Sequence, residues 1–321
     1  MLQMYHQTKL ALGSDTTFVL VSDRSESKVM EVFRELWSAT YRFERQFSRF
    51  IPNSELSNSN RLAGSVIPIT PEFYRLLHAA QKLAYVTDGL YNPFILPALQ
   101  RAGYTNSFVP AYAEDTHDDV SNRRVVPIER MQLTLKSLTI PYGTALDIGG
   151  CGKGYLADQL AEMNIPDWVH GYWLSFGGDL IGSGYDADDK PWHVEIPSAA
   201  SQDEYPWYVE TTGKQFAVAT SGIGVRTGVK NGKSWHHIID PHTLQPSETD
   251  VRMATVVHPS ATKADVFASC AILLGSKAAP GFLEKHSVSA ACLQGESEAD
   301  CVVTGRGVYR QNLATQRTVH A

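Results

Sequence analysis

The chain predicts an α+β fold, with helices and strands in separate stretches around a shared core. Three observations carry that prediction. Apolar residues recur at helical spacing through residues 27–47. Short strand-like runs dominate from Gln132 onward. No regular strand–helix alternation, of the kind that builds a doubly wound sheet, runs through the chain. Residues 16–22, rich in Thr, Val and Phe, read as a strand. The helix over 27–47 carries Val29, Val32, Phe33, Leu36, Trp37, Thr40, Phe43 and Phe47 at helical spacing. Thr70-Pro71-Glu72 opens another: a capping hydroxyl, proline where no N–H is needed, then an acid in the first turn. It runs to about Val86 and stops before Gly89. Residues 111–124 are polar and aperiodic and read as an exposed loop. Beyond them strands are expected at 172–176, 192–196, 216–220, 235–239 and 253–257. Helices are expected after Lys153 and at 262–274 and 278–286. With no internal repeat and no Pro- or Ser-rich linker, residues 1–321 read as one unit.

Composition narrows the function classes. A formal charge of -6 argues against the broad basic surface that nucleic acid requires. No stretch reads as long and apolar enough to span a bilayer. The opening MLQMYHQTKLALG lacks the charged start, apolar middle and cleavage site of a secretory leader. The chain as given therefore reads as cytoplasmic; a periplasmic protein with its leader removed would look the same. Cys151, Cys270, Cys292 and Cys301 show no Cys-x-x-Cys spacing, which argues against zinc and against a disulfide framework. Buried thiols are the expectation for Cys270 and Cys292, and Cys151, inside the glycine turn, reads as a small filler.

Asp147-Ile148-Gly149-Gly150-Cys151-Gly152-Lys153-Gly154-Tyr155 is the most informative passage. Glycines let backbone N–H groups approach a phosphate, and the helix that follows adds positive potential at the same place. The turn reads as a seat for a phosphorylated ligand. The turn of an S-adenosylmethionine-dependent methyltransferase looks similar, but glycines at 149, 150, 152 and 154 are out of register with it. The next strand also ends in a second glycine turn, Gly177-Gly178-Asp179, in place of a lone ribose-binding acid. Asp265 and Ser269 lie four apart on a helix, so both oxygens project from one face and suit a hard cation such as Mg²⁺. An early-helix acid favoured by the dipole, beside a packed serine, is the plainer alternative. His237, in His237-Ile238-Ile239-Asp240-Pro241, has the chemistry to move a proton near neutral pH, although most histidines flanking a strand are structural. Residues 216–222 run as a strand into a small-residue loop. Arg226 follows; the run either positions a polar ligand or is a plain strand end.

Taken together and in order, these passages resemble the FAD:protein FMN transferase, or ApbE, family over nearly the whole chain. Leu12-Gly13, followed by Thr16-Thr17-Phe18 after an insertion, resembles its Met-Gly-Thr element. Phe47-Ser48-Arg49-Phe50 through Asn53-Ser54-Glu55-Leu56 matches its Ser-x-Tyr/Phe…Asp/Asn-Ser-Glu-Leu stretch. Thr87-Asp88-Gly89-Leu90-Tyr91-Asn92-Pro93 resembles Thr-Asp-Gly-x-x-Asp-Pro, with Asn92 for aspartate. Asp147 to Tyr155, Gly177 to Asp179, Ala219 to Gly222, His237 to Pro241 and Ala264 to Ser269 match further motifs, with Ser269 where threonine is usual. The resemblance implies a single ApbE-type catalytic domain: mixed sheets, flanking helices, and FAD in a cleft between two lobes. It implies an enzyme that moves FMN from FAD onto a threonine or serine of a target flavoprotein and releases AMP. Asp265, Ser269 and the carbonyl of Gly150 would hold Mg²⁺. Asp147 and Lys153 would line the FAD site. Leu12, Phe50, Leu90, Tyr91, Asn92 and Ile239 occupy positions that contact the dinucleotide in relatives. His237 would accept the proton of the acceptor hydroxyl. Two alternatives share this site: a Mg²⁺-dependent FAD pyrophosphatase, with water as nucleophile, and an FAD-binding protein without chemistry.

Overall fold

The computed structural model describes residues 1–106, 119–201 and 203–311. Its frame is an eight-stranded sheet of Gln3–Ala11, Ser14–Ser22, Gly171–Phe176, Asp179–Gly184, Phe216–Gly222, Met253–His258, Ala290–Gln294 and Cys301–Gly305. These strands lie side by side in chain order, each antiparallel to the next. The helices are inserted between sheet neighbours: α1 (Glu26–Phe47), α2 (Glu55–Arg61), α3 (Pro71–Val86), α4 (Leu96–Ala102), α5 (Gly152–Asn164) and α6 (Ala261–Lys285).

Ser14–Ser22 explains the layering. Alternate strand residues point to opposite faces, and here Phe18 and Leu20 are buried on one face while Val19 and Val21 are buried on the other. A strand apolar on both sides needs cover on both. Helices α1, α5 and α6 cover the first face with Phe33, Leu36, Leu156, Val266 and Phe267. A small sheet of His193–Ile196, Trp207–Glu210 and Val308–Arg310 covers the second with Ile196, Val209 and Val308. The expected cap of α3 is present: the Thr70 hydroxyl accepts from the Phe73 N–H at 3.2 Å and donates to Glu55 at 2.7 Å.

Several expectations need correction. The helices expected at 262–274 and 278–286 are one element, α6, bent at Gly275. Gly275 has φ 72°, a left-handed value that glycine adopts at little cost, and Asp250 recaps the second half by accepting from the Ser276 N–H at 2.9 Å. By length and composition α6 could cross a bilayer, against the sequence expectation, but Val266, Phe267 and Ile272 are buried in the core. The strand expected at 235–239 is Lys233–His236. It stops because the Ser247 N–H donates to the Ile238 carbonyl at 2.9 Å and draws the chain into a turn. Of the loop expected at 111–124, residues 111–118 lie outside the described residues. Val120, in the remainder, is buried, with its N–H donating to Gln100 Oε1 at 2.6 Å. Cys270 and Cys292 are buried thiols as expected, and Cys292 Sγ lies 3.4 Å from Cys301 Sγ across the last two strands of the sheet.

Candidate functional site

All the residues singled out from the sequence line one cavity of roughly 440 Å³: Leu12, Phe50, Leu90, Tyr91, Asn92, Asp147, Gly150, Lys153, His237, Ile239, Asp265 and Ser269. Two helix starts bring the polar members together. The Ile148 carbonyl accepts from the N–H groups of Cys151 and Gly152, closing the glycine turn as α5 begins. Gly154 then packs on the start of α6, where a Cβ would lie 2.5 Å from the Ala261 carbonyl oxygen. Asp158, one turn on, accepts from Ser260 Oγ at 2.7 Å, Ala261 N at 2.7 Å and Thr262 N at 3.0 Å. The turn bearing Lys153 is thereby clamped to the helix bearing Asp265 and Ser269. Gly154→Ala is expected to cost about 1–3 kcal/mol through overpacking, read as a lower urea midpoint with an unchanged slope.

At the polar end, Lys153 Nζ donates to the Phe176 carbonyl at 3.3 Å. Asp179 accepts from the Thr220 N–H at 2.9 Å, and Ser269 Oγ lies 2.8 Å from Ser221 Oγ. Asp265 Oδ2 is buried with no hydrogen-bond partner among the described residues. Burial, reinforced by Asp179, holds the Asp265 carboxyl well above the usual carboxylate range; Lys153, the Gly154 N–H and Arg226 pull the other way. Burial also raises Asp179, against Lys153, the Thr220 N–H and Arg226. The Lys153 ammonium is lowered by burial and by Arg226, against the attraction of both acids. His237 is pulled down to about 3 by burial, Arg226 and His236, so its ring is neutral.

The donors near Asp265 fit a hard divalent ion. A carboxylate oxygen buried without a partner is costly, and it sits with a hydroxyl and a glycine turn, an all-oxygen set of the kind Mg²⁺ prefers. No trio of His, Cys, Asp or Glu able to hold a metal occurs among the described residues.

The cavity also has an extensive apolar lining, formed by Phe43, Phe47, Leu56, Leu90, Tyr91 and Ile148, together with Phe50, Tyr104 and Ile239. Several residues here are tied to the protein itself. Asp147 pairs with Arg49 Nε at 2.8 Å and accepts from the Gly149 N–H at 2.6 Å, so its oxygens shape the turn. Asn92 donates to the Val126 carbonyl at 3.0 Å and caps Phe94 N at 3.0 Å. Tyr91 donates to Cys151 Sγ at 3.0 Å. The Cys151 thiol is pushed up to about 12, chiefly by burial, which leaves it a filler and no nucleophile. Leu12 (φ 53°) donates its N–H to Glu44 Oε1 at 2.8 Å.

Sequence reasoning missed Ser14, Glu44 and Arg49. Ser14 lines the cavity with a buried hydroxyl that has no hydrogen-bond partner among the described residues, whereas Thr16, assigned to that element, is buried in the strand. No insertion therefore separates Leu12-Gly13 from the hydroxyl at this wall. Arg49 contacts two neighbouring rings, its guanidinium 4.0 Å from the Phe50 ring and 4.6 Å from that of Tyr104. Arg49→Met should cost about 3 kcal/mol, because it strands the Asp147 carboxylate without its ion pair, and thermal unfolding will report it.

The sequence profile of the ApbE family matches residues 12–293. The chain belongs to the ApbE family. Among curated ApbE relatives, an FAD:protein FMN transferase of Haemophilus influenzae is 24% identical over 293 residues, spanning 89% of this chain and 82% of the relative. One from Treponema pallidum is 25% identical over 292 residues, 84% of this chain and 79% of the relative. The structure also superposes on the ApbE protein of Thermotoga maritima with a TM-score of 0.78 at 21% identity, covering 96% of this chain and 97% of the other. The apo flavinyl transferase ApbE of Pseudomonas stutzeri gives 0.76 at 23%, covering 94% of each chain. At such identities the superpositions speak for the ApbE fold, which is α+β as expected.

Proposed function

We propose that this chain transfers FMN from FAD to a threonine or serine hydroxyl of an acceptor flavoprotein and releases AMP, with Mg²⁺ bound. Beside family membership, one observation carries the reading. A buried carboxylate oxygen with no partner among the described residues, a hydroxyl, a lysine and a neutral histidine line one cavity together with many apolar and aromatic side chains. A flavin dinucleotide has matching parts: two aromatic ring systems and a diphosphate between them.

The acceptor hydroxyl oxygen attacks the phosphorus that bears riboflavin. A phosphoester bond forms there, the bridging P–O bond breaks, and its electron pair leaves with AMP. His237 takes the hydroxyl proton. Its ring is neutral because burial and nearby cations disfavour the imidazolium; a bound diphosphate offsets those cations and makes the ring a better base. Lys153 neutralises charge on the phosphates. Asp265, Ser269 and Gly150 would hold Mg²⁺, which supplies charge neutralisation for the departing phosphate when bound.

Incubation with FAD, Mg²⁺ and candidate flavoproteins tests this. Intact-mass analysis should show acceptor gaining one FMN for each AMP released, and EDTA should stop both. AMP without labelled acceptor would favour the pyrophosphatase, and bound FAD with no AMP would favour a binding protein.

A further inference from the structure

We infer that Arg226 grips the diphosphate of the dinucleotide as a second cation beside Lys153; this rests on the reading above that the cavity takes FAD.

Arg226 sits where Phe216–Gly222 leaves the main sheet and the Thr227–Lys230 hairpin begins. It lines the cavity and is half-buried. Its carbonyl accepts the His237 N–H at 3.1 Å, so the start of the hairpin holds it beside the histidine. The other cavity cations are already engaged. Arg49 is paired with Asp147, and Lys153 donates to the Phe176 carbonyl. The Arg226 guanidinium has neither a hydrogen bond nor a carboxylate among the described residues. Its one ring neighbour among the described residues, Tyr104, lies 5.9 Å from the guanidinium carbon, at the outer limit of a useful cation–π contact.

The charge of Arg226 reaches the polar end. It disfavours the charged forms of Lys153 and His237 and favours those of Asp179 and Asp265. Formal charges then make a simple balance. Once a bound divalent ion and diphosphate favour the ionised forms, the carboxylates of Asp179 and Asp265 cancel the cations Lys153 and Arg226, and the divalent ion leaves two positive charges, matching the two negative charges of a diphosphate diester. Without Arg226 the balance falls short by one. A guanidinium also offers a planar fork of donors that fits two phosphate oxygens. No acid among the described residues ties that fork up in advance.

The test compares FAD with riboflavin, which has the ring system and no phosphate. Equilibrium binding of each, with Mg²⁺ present, is measured by flavin fluorescence for the wild type, Arg226→Ala and Arg226→Lys, after thermal unfolding shows the variants folded. Arg226→Ala should weaken FAD at least tenfold, leave riboflavin within twofold, and flatten the salt dependence of FAD binding. Arg226→Lys should fall between. Equal loss for both ligands would show a packing role, and unchanged FAD affinity would show that Arg226 holds no phosphate; either overturns the inference. Failure of the wild type to bind FAD would sink the underlying reading instead, and would be seen before any variant is compared.

Discussion

Replacing Asp265 by alanine will abolish Mg²⁺-dependent flavin transfer and leave the metal-free protein at least as stable as before. Charge neutralisation by a divalent ion is worth several kcal/mol in phosphoryl transfer. A loss on the order of 10⁴-fold, about 5.5 kcal/mol, is therefore expected in AMP release. The stability half follows from the orphaned Oδ2. An unsatisfied buried polar atom costs about 1–3 kcal/mol, and alanine removes it. The sign with pH is fixed. Folding raises this carboxyl's pKa, through burial first and Asp179 second. Its contribution is therefore fully present below the ordinary carboxylate pKa and lost as pH rises through the raised value. Metal-free wild type should thus lose stability at this group as pH rises above the ordinary carboxylate range, and Asp265→Ala should lose less. Added Mg²⁺ should raise the unfolding midpoint of the wild type by mass action and do little for the variant. A variant that keeps both its turnover and its Mg²⁺ response would show that the ion binds elsewhere.

The parts of this protein that depend on local pattern were legible in the sequence. Ser14–Ser22 and α1 carry enough apolar residues to show their period, and α3 announces its start through Thr70-Pro71. The first strand, Gln3–Ala11, was missed because only Ala11 is buried in it; its partner strand, not its own pattern, holds it. The turn between them needs two residues at positive φ, supplied by Leu12 at 53° and Gly13 at 77°. Leucine in the first place conceals a hairpin that asparagine would have advertised. The helices α2 and α4 are seven residues each, too short for a period to show. At the site, ordered motifs located the wall, but side chains whose meaning depends on a distant partner stayed hidden. Glu44 reads as one more polar residue of α1 until the Leu12 N–H is placed against it. Arg49 is only the variable position of the Ser-x-Phe stretch until Asp147 and the rings of Phe50 and Tyr104 are placed beside it.

His237→Asn should lower transfer on the order of 10³-fold, about 4 kcal/mol, while leaving FAD affinity within a fewfold. The imidazole meets the Tyr104 ring edge-on, 6.4 Å between centroids and 79° between planes, and its Nδ1 is buried without a partner among the described residues. Asparagine keeps a polar group at that place and removes the base. The pH profile is the sharper reading. In the ligand-free protein His237 is held down at about 3, by burial first and then by the charges of Arg226 and His236. Loss of a base's neutral form makes the rate fall as pH falls, so kcat/KM for FAD should show no inflection from this group between roughly pH 5 and pH 8. With FAD bound, the diphosphate offsets Arg226 and Lys153, the imidazolium becomes less costly, and the acid limb of kcat should move upward relative to that of kcat/KM. Arg226→Gln should shift the ligand-free His237 the same way, detectable by NMR titration of the imidazole. A free-enzyme inflection near the ordinary histidine pKa, lost in His237→Asn, would mean that the ring is solvated and that the cavity is wetter than its packing implies.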